Sequence, residues 1–573
     1  MTEVTIQIER IDDIPLLVKQ QEAMGIAEVI DRVIPKHGNR EGLSLGWMTT
    51  GWLAFILSES DHRLSYVEGW AAERLNTLNG VIPGFVAAED FSDDRLGDAL
   101  SQLSEDDVWE QIESELSQRT IRVYELPRET VRVDTTTVSV YHDSEESELI
   151  AYGHSKDHRP DLAQVKVLLA TLDPMALPIV TLVVPGNQAD DGLYIPAIQV
   201  AQGSLSPKGL LYVGDSKMEA LDTRAYLVHS GDYYLVPLSQ KGEQGKWLVE
   251  QVTYVLAEEP ELVSVYSDEG EQDVLIAQGW ETVRDQEAML AGELVQWQER
   301  LMLIYSPALA RSAERGLAER LQNAEAKLAR LTPEPGRGKH QYSELEPLRA
   351  EVESILNQHR LTDCLQVRYH QRVDERHIRA YKDKPPRTET VVRYQLVVSR
   401  NEAAIQTARR TMGWRLYATN TPQERLSITD AVRTYRSNVP TIERLFSRLK
   451  GRPLGLRPVF VYRDDHIKGL IRLLSLALRI LTLIGFIAQR SLQGEQDSLQ
   501  GLYPGNPRRE TDRPSAERLL QAFKEINLSI IHLPDQSICH VTPLNELQNR
   551  ILFLLRFPAT IYSDLAQIPP IPP

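Results

Sequence analysis

Cysteine is scarce. Cys364 and Cys539 are the only two, far apart and with no partner spacing, so neither a disulfide framework nor a zinc site is expected. Basic charge is also in deficit: 63 Lys and Arg stand against 81 Asp and Glu, a net charge of −18. That balance argues against a nucleic-acid partner, because phosphate binding is dominated by Lys and Arg. The opening MTEVTIQIERIDDIP lacks a basic region followed by an apolar run, so no secretory signal is expected, and the cytoplasm, near the bacterial nucleoid, is the expected compartment. An unbroken apolar span is missing too. Residues 470–487 come nearest, but Arg472 and Arg479 fall inside them, and a central arginine is costly in a bilayer. A buried packing helix is expected there, and no membrane partner.

What the sequence does contain is unevenly spread. The segment 105–115 holds six acids and no base, and 258–273 is again acidic. Residues 361–460 reverse the sign, with 20 Lys and Arg against 9 Asp and Glu. Such a stretch suits DNA contact on one face or an ordinary solvated surface.

A chain of 573 residues exceeds one hydrophobic core and suggests several folding units, at about 100 to 200 residues each. Residues 1–125 read as helices, including IPLLVKQQEAMGIAEVIDRVI and LSLGWMTTGWLAFILSE with Ser44 as its cap. They suit dimerisation or DNA-end binding. From 126 to 240 the period changes to that of strands. VRVDTTTVSVY, VKVLLATL and LPIVTLVVPGN are strand candidates, the last two joined at Asp173-Pro174. A helix, the strand LLYVG, another helix and the strand DYYLVPLS follow. This β-β-β-α-β-α-β order is the RNase H-like arrangement, an α/β core with helices flanking a mixed sheet. Residues 241–413 read as an inserted α+β domain, 414–492 as the second part of the core, and 493–573 as a loop-rich tail.

Two acids stand where chemistry collects. Asp134 lies mid-strand, and Asp215 directly follows LLYVG; reactive groups in open α/β sheets gather at the carboxyl ends of strands. Acids brought together repel, and hard divalent ions with oxygen ligands relieve that repulsion, so Mg²⁺ or Mn²⁺ suits them better than zinc. Taken singly, Asp134 could be an exposed strand residue and Asp215 a helix N-cap. His154, Lys156, His158 and Arg159 form a cationic loop between strands, either a solvated hairpin or a grip on the DNA backbone.

The segment Tyr152-Gly153-His154-Ser155-Lys156-Asp157-His158-Arg159-Pro160-Asp161-Leu162, with Pro185-Gly186-Asn187 and Asp190 downstream, resembles the DDE transposases of bacterial insertion sequences. So does the helix Ile442-Glu443-Arg444-Leu445-Phe446-Ser447-Arg448-Leu449-Lys450-Gly451. More narrowly, the likeness is to the superfamily whose third acid lies in a Tyr-Arg-Glu-Lys helix, in a branch with a helical N-terminal domain. It extends from about residue 11 to residue 492. The resemblance implies metal-dependent DNA cleavage and strand transfer by Asp134, Asp215 and Glu443 holding two Mg²⁺ (or Mn²⁺) ions. It also implies double-stranded DNA, both element ends and target, as partner and a homodimer as the working form. Glu443 and Lys450, seven apart, share a helix face, and Lys450 and Arg448 would meet DNA. Upstream the pattern departs: Val439 and Arg436 stand where the family has Arg and Tyr, and Tyr435-Arg436 is shifted, with Pro440 starting a new helical segment. Trp280, Trp297 and Trp414 are either core residues or platforms for an extruded base.

Overall fold

The computed structural model describes residues 5–35, 41–142, 145–205, 208–267, 274–336, 338–380, 385–437, 439–533 and 536–571, without the side chains of 437 and 439–441. Val439 and Pro440, as side chains, and the end of the acidic stretch 258–273 therefore lie outside the described residues.

The N-terminal region is helical after one strand. β1 (Thr5–Arg10) precedes α1 (Ile14–Met24), α2 (Ile26–Val33), α3 (Leu45–Glu59), α4 (Val67–Ala72), α5 (Leu75–Val81), α6 (Asp93–Ser104) and α7 (Asp106–Tyr124). Gly25, at φ 76°, breaks the first helical pattern in two, a left-handed conformation that glycine adopts without strain. Ser44 caps α3 as its sequence suggests, accepting from the Trp47 N–H at 3.4 Å. The strand was not expected, and although Ile6 and Ile8 alternate with polar residues it is these two that are exposed. Its one buried side chain, Glu9, accepts the N–H groups of Asn76 and Thr77 at 3.1 and 2.8 Å, which ties β1 to the start of α5.

The core follows in the expected order. β2 (Thr130–Val140), β3 (Ala163–Leu172) and β4 (Leu177–Pro185) lead to α8 (Tyr194–Leu205), β5 (Leu211–Gly214), α9 (Leu221–Ser230) and β6 (Tyr233–Pro237). In space they lie β4-β3-β2-β5-β6, the first three antiparallel, with β5 parallel to both β2 and β6. This is the RNase H-like strand order. β3 is buried along its whole length, and its polar side chains Gln164 and Lys166 are bonded within the fold, Lys166 to Asp190 and Gln164 to the Gly186 carbonyl.

Residues 241–413 contribute to two structures. α10 (Gly242–Glu258), β7 (Val263–Tyr266), β8 (Leu275–Leu290) and β9 (Glu293–Tyr305) come first, and the three strands extend the core sheet. α11 (Pro307–Leu331), α12 (Leu345–His359), β10 (Leu365–Ile378), β11 (Arg387–Arg400) and α13 (Glu402–Thr411) come next. They have a hydrophobic cluster of their own around Leu321, Leu328, Val352 and Ile405, and β10 and β11 pair as a two-stranded ribbon. β12 (Trp414–Thr419) then returns between β6 and β9, completing a nine-stranded sheet β4-β3-β2-β5-β6-β12-β9-β8-β7.

α14 (Ile428–Ser437) and α15 (Val439–Lys450) precede α16 (Asp464–Glu495), which carries the apolar segment noted above. α16 is long and apolar enough to cross a membrane, yet 94% of its most apolar window is buried within the protein. Gly469 lets it approach α6 closely: a Cβ there would stand 2.1 Å from the Leu100 carbonyl oxygen. Its two inner arginines are both bonded. Arg472 donates to the carbonyls of Leu103 and Ser104 at 2.9 and 2.6 Å, and Arg479 pairs with Glu113 at 2.9 Å. Glu113 also accepts the Thr181 N–H of β4 at 2.9 Å, so one buried carboxylate joins the helical region, α16 and the core sheet. Of the acids of 105–115, Glu113 is thus used inside the fold against Arg479, while the exposed Asp106 pairs at the surface with Lys468 and Arg472.

The tail is more ordered than its loop-rich sequence suggests. α17 (Ala516–Gln521), β13 (Asn527–His532), β14 (Ser537–Val541), α18 (Glu546–Leu554) and α19 (Thr560–Ser563) follow α16. β13 pairs with β1, so both ends of the chain share a three-stranded sheet.

Candidate active site

β2 and β5 run side by side in parallel, and Val133 is paired with Gly214. That register places Asp134 and Asp215, each the next residue, at the same level of adjacent strands. Asp134 is a quarter exposed and accepts the Thr135 N–H at 2.7 Å. Burial, only partly offset by Lys156 and reinforced by the charge of Asp215, pushes its carboxyl up to about 6. Asp215 does not cap α9, which starts only at Leu221. Its Oδ1 instead accepts the Lys217 N–H at 2.9 Å and the Tyr194 hydroxyl at 2.7 Å. Burial, with Asp215 beside it, raises the Tyr194 phenol far above its usual value, so that hydroxyl remains a donor.

A third carboxylate acts on Asp134 from the loop after β4. Asp190 accepts the Thr135 hydroxyl at 3.2 Å and is ion-paired with Lys166 at 2.5 Å and Lys156 at 3.4 Å. Burial works against its charge, but the Lys166 bond and the Lys156 ammonium hold it below the usual carboxylate range. Asp190 and Asp134 flank one lysine, then, and differ: the first is compensated by two lysines and the second only partly by one. The Lys156 ammonium lies 4.0 Å from Asp134, donates to the Thr135 carbonyl at 2.8 Å and also bonds the Thr135 hydroxyl.

The other sequence candidates divide by what they touch. Lys450 reaches the site's strand, donating to the Thr136 hydroxyl at 2.8 Å and pairing with Asp157 at 2.7 Å. Glu443, on the same face of α15 by its spacing, is exposed. Arg448 turns instead to the tail and pairs with Glu517 of α17 at 2.6 Å. Tyr435 packs on Tyr417, ring centroids 4.8 Å apart, and Arg436 donates to the Ile276 carbonyl at 2.7 Å. Within the cationic loop His154 and His158 are exposed, and Arg159 pairs with Asp161 at 2.7 Å. Trp297 and Trp414 are buried in the extended sheet, with the Trp297 indole donating to the Tyr234 hydroxyl at 2.9 Å. Trp280 is half-buried and packs on Tyr254.

Oxygen donors alone, two of them electrostatically coupled and with neither Cys nor His beside them, fit a hard divalent cation. Among the described residues, though, no three His, Cys, Asp or Glu side chains stand gathered as a metal-holding group. A cleft of about 1000 Å³ opens beside Asp215, lined by Lys241, Arg320, Trp414, Arg415 and Tyr435 among others. Asp190, Lys166, Asp157 and Tyr194 were not legible as partners in the sequence. Asp190 and Asp157 are visible only as members of the quoted motif, and Lys166 and Tyr194 carry no local signal.

A family model described as a domain of unknown function (DUF4277) matches residues 6–116, the helical N-terminal region. No curated protein matches the chain. Among solved structures, a cryo-EM structure of a piggyBac transposase synaptic complex with hairpin DNA is similar over 91% of this chain and 81% of that one, at 8% identity and a TM-score of 0.36. The RNase H-like assignment accordingly rests on the strand order and register described above.

Proposed function

We propose that the chain is a DDE-type transposase, cutting donor DNA and joining the freed 3′-hydroxyl ends to target DNA. The observation that carries this reading is the coupled pair Asp134 and Asp215, side by side on the two central parallel strands of an RNase H-like sheet. In this reading Asp134, Asp215 and Glu443 would hold two Mg²⁺ or Mn²⁺ ions. Such ions activate the attacking oxygen and stabilise the leaving one in phosphoryl transfer.

The protein's own groups position and neutralise. Tyr194 fixes the orientation of Asp215, Asp190 and Thr135 anchor Lys156 beside Asp134, and Lys450 stands over β2 where backbone phosphate would pass. His154, His158 and Arg159 border that path, and Tyr435 and Arg436 lie beyond Asp215. Arg448, turned to Glu517, and Arg436, bonded to the Ile276 carbonyl, are sequence candidates whose contacts give no support to a DNA role. The partner is double-stranded DNA, and the working form is a homodimer.

A second reading, a DNA-binding descendant without catalysis, is favoured because Asp134, Asp215 and Glu443 do not stand gathered as a metal-holding group among the described residues. Incubation of the full chain with its flanking genomic DNA and Mg²⁺, followed by mapping of the ends, separates the readings. Metal-dependent nicks at fixed boundaries, with 3′ ends joined to a target plasmid, are expected. Nicks without joining would leave a nuclease, and bound but uncut DNA would leave the inactive descendant.

A further inference from the structure

The loop between β2 and β3 turns two charged residues inward and most of the others out. Tyr152, Gly153, His154 and His158 are exposed, while Lys156 faces the acids and Asp157 is 7% exposed. The Asp157 carboxylate bridges two cations, Lys450 at 2.7 Å and Arg457 at 2.9 Å. Those cations are built to be neighbours. After α15 the chain reverses so that the Leu456 N–H donates to the Leu449 carbonyl at 3.1 Å and the Arg457 N–H to the Lys450 carbonyl at 3.3 Å. Two cations fixed by backbone and sharing one carboxylate form an anion site, and a phosphodiester presents the same single charge on a like pair of oxygens. Arg457, 39% exposed, opens the site to solvent.

We propose that Lys450 and Arg457 form a subsite for one backbone phosphate of DNA, and that Asp157 fills it as an internal anion until DNA enters. This rests on the DNA reading above. The exchange leaves the cations paired in both states, so neither state carries a buried charge without a partner. Asp157 moves to solvent, where a carboxylate is well hydrated. Lys156, its chain neighbour, moves with it and bares Asp134 and Asp190. Adjacent residues of one loop thus stand where an anionic strand and a cation would go, and strand entry clears both places.

The test is binding of the full chain to a random-sequence duplex across a salt series, for wild type, D157N, R457A and D157N/R457A. D157N is expected to bind about tenfold more tightly across the salt series, because Lys450 and Arg457 no longer have to release an internal carboxylate before a phosphate pairs with them. Adding R457A should reverse most of that gain. Folded D157N with the affinity of wild type overturns the subsite. If D157N does not fold, wild type alone decides through amide hydrogen exchange of residues 152–162: faster exchange with duplex present is expected, and unchanged or slower exchange overturns the proposal. Wild type that binds no duplex at any salt would overturn the DNA reading as well. Salt-dependent binding with an unaltered loop would overturn this subsite only.

Discussion

Two buried carboxylates, Glu113 on α7 and Asp134 on β2, sit on opposite sides of the question of what a charge inside a protein is for. Glu113 is 1% exposed and bonded on both oxygens, with Arg479 on one and the Thr181 N–H on the other, although burial still raises its carboxyl above the usual range. Asp134 is more exposed, yet it faces another carboxylate, and its nearest cation stands 4.0 Å away. The first arrangement joins three parts of the fold. The second leaves a charge that Lys156 offsets only in part, the kind of perturbed group that marks a candidate functional site.

The largest effect expected from this contrast is on chemistry. Asp134→Asn, Asp215→Asn and Glu443→Gln should each reduce DNA strand cleavage to background while leaving DNA binding largely intact. Near-normal cleavage in any one variant would remove that residue from the site.

Next comes stability on the other side of the comparison. Glu113→Ala strands Arg479 in a buried position and should cost about 3 to 5 kcal/mol in denaturant unfolding. A loss below about 1 kcal/mol would mean that water replaces the carboxylate and that the two carboxylates differ less than their surroundings suggest.

Asp134→Asn should act in the opposite direction. The native carboxyl is raised to about 6 from 3.8, so between those pH values the folded state holds a proton that the unfolded state has released. Stability from this group therefore falls as pH rises from about 4 to 6. In metal-free buffer the asparagine variant should gain about 1 to 3 kcal/mol above pH 6 and nothing near pH 3. Melting curves across pH check this, and equal pH dependence in both proteins would contradict the environment described for Asp134. By the same proton competition, divalent-cation affinity of wild type should weaken about tenfold per unit below pH 6.

The smallest effect separates two cations of one helix. Lys450→Ala should lower the salt slope of DNA binding by about one unit, whatever the DNA sequence. Arg448→Ala should leave the slope unchanged and cost about 1 kcal/mol of stability through Glu517. Unchanged slopes in both would mean that α15 does not grip DNA.

Much of this contrast was open to sequence reading and part of it was not. The strands β2 to β6, the Ser44 cap and the end of LLYVG at Asp215 follow from period, turn chemistry and capping, which act over a few residues. Asp134 and Asp215 could be paired as candidates because each belongs to a readable strand. The state of Lys450 could not be read, since its partner Asp157 lies 293 residues away. Nor could the compensation of Asp190 by Lys166, which depends on β3 and the loop after β4 meeting in space.

By itself, then, the sequence determined the local elements and the residue types able to hold a hard cation, because side-chain period and capping are properties of neighbouring residues. Tertiary structure alone decided that β12 closes the gap between β6 and β9, that β1 pairs with β13 across the whole chain, and that Asp134 is only partly compensated while Asp190 is held below its usual range. Strand partners and ion partners are selected by which surfaces remain to be covered once the core has formed. That selection has no counterpart in the order of neighbouring residues.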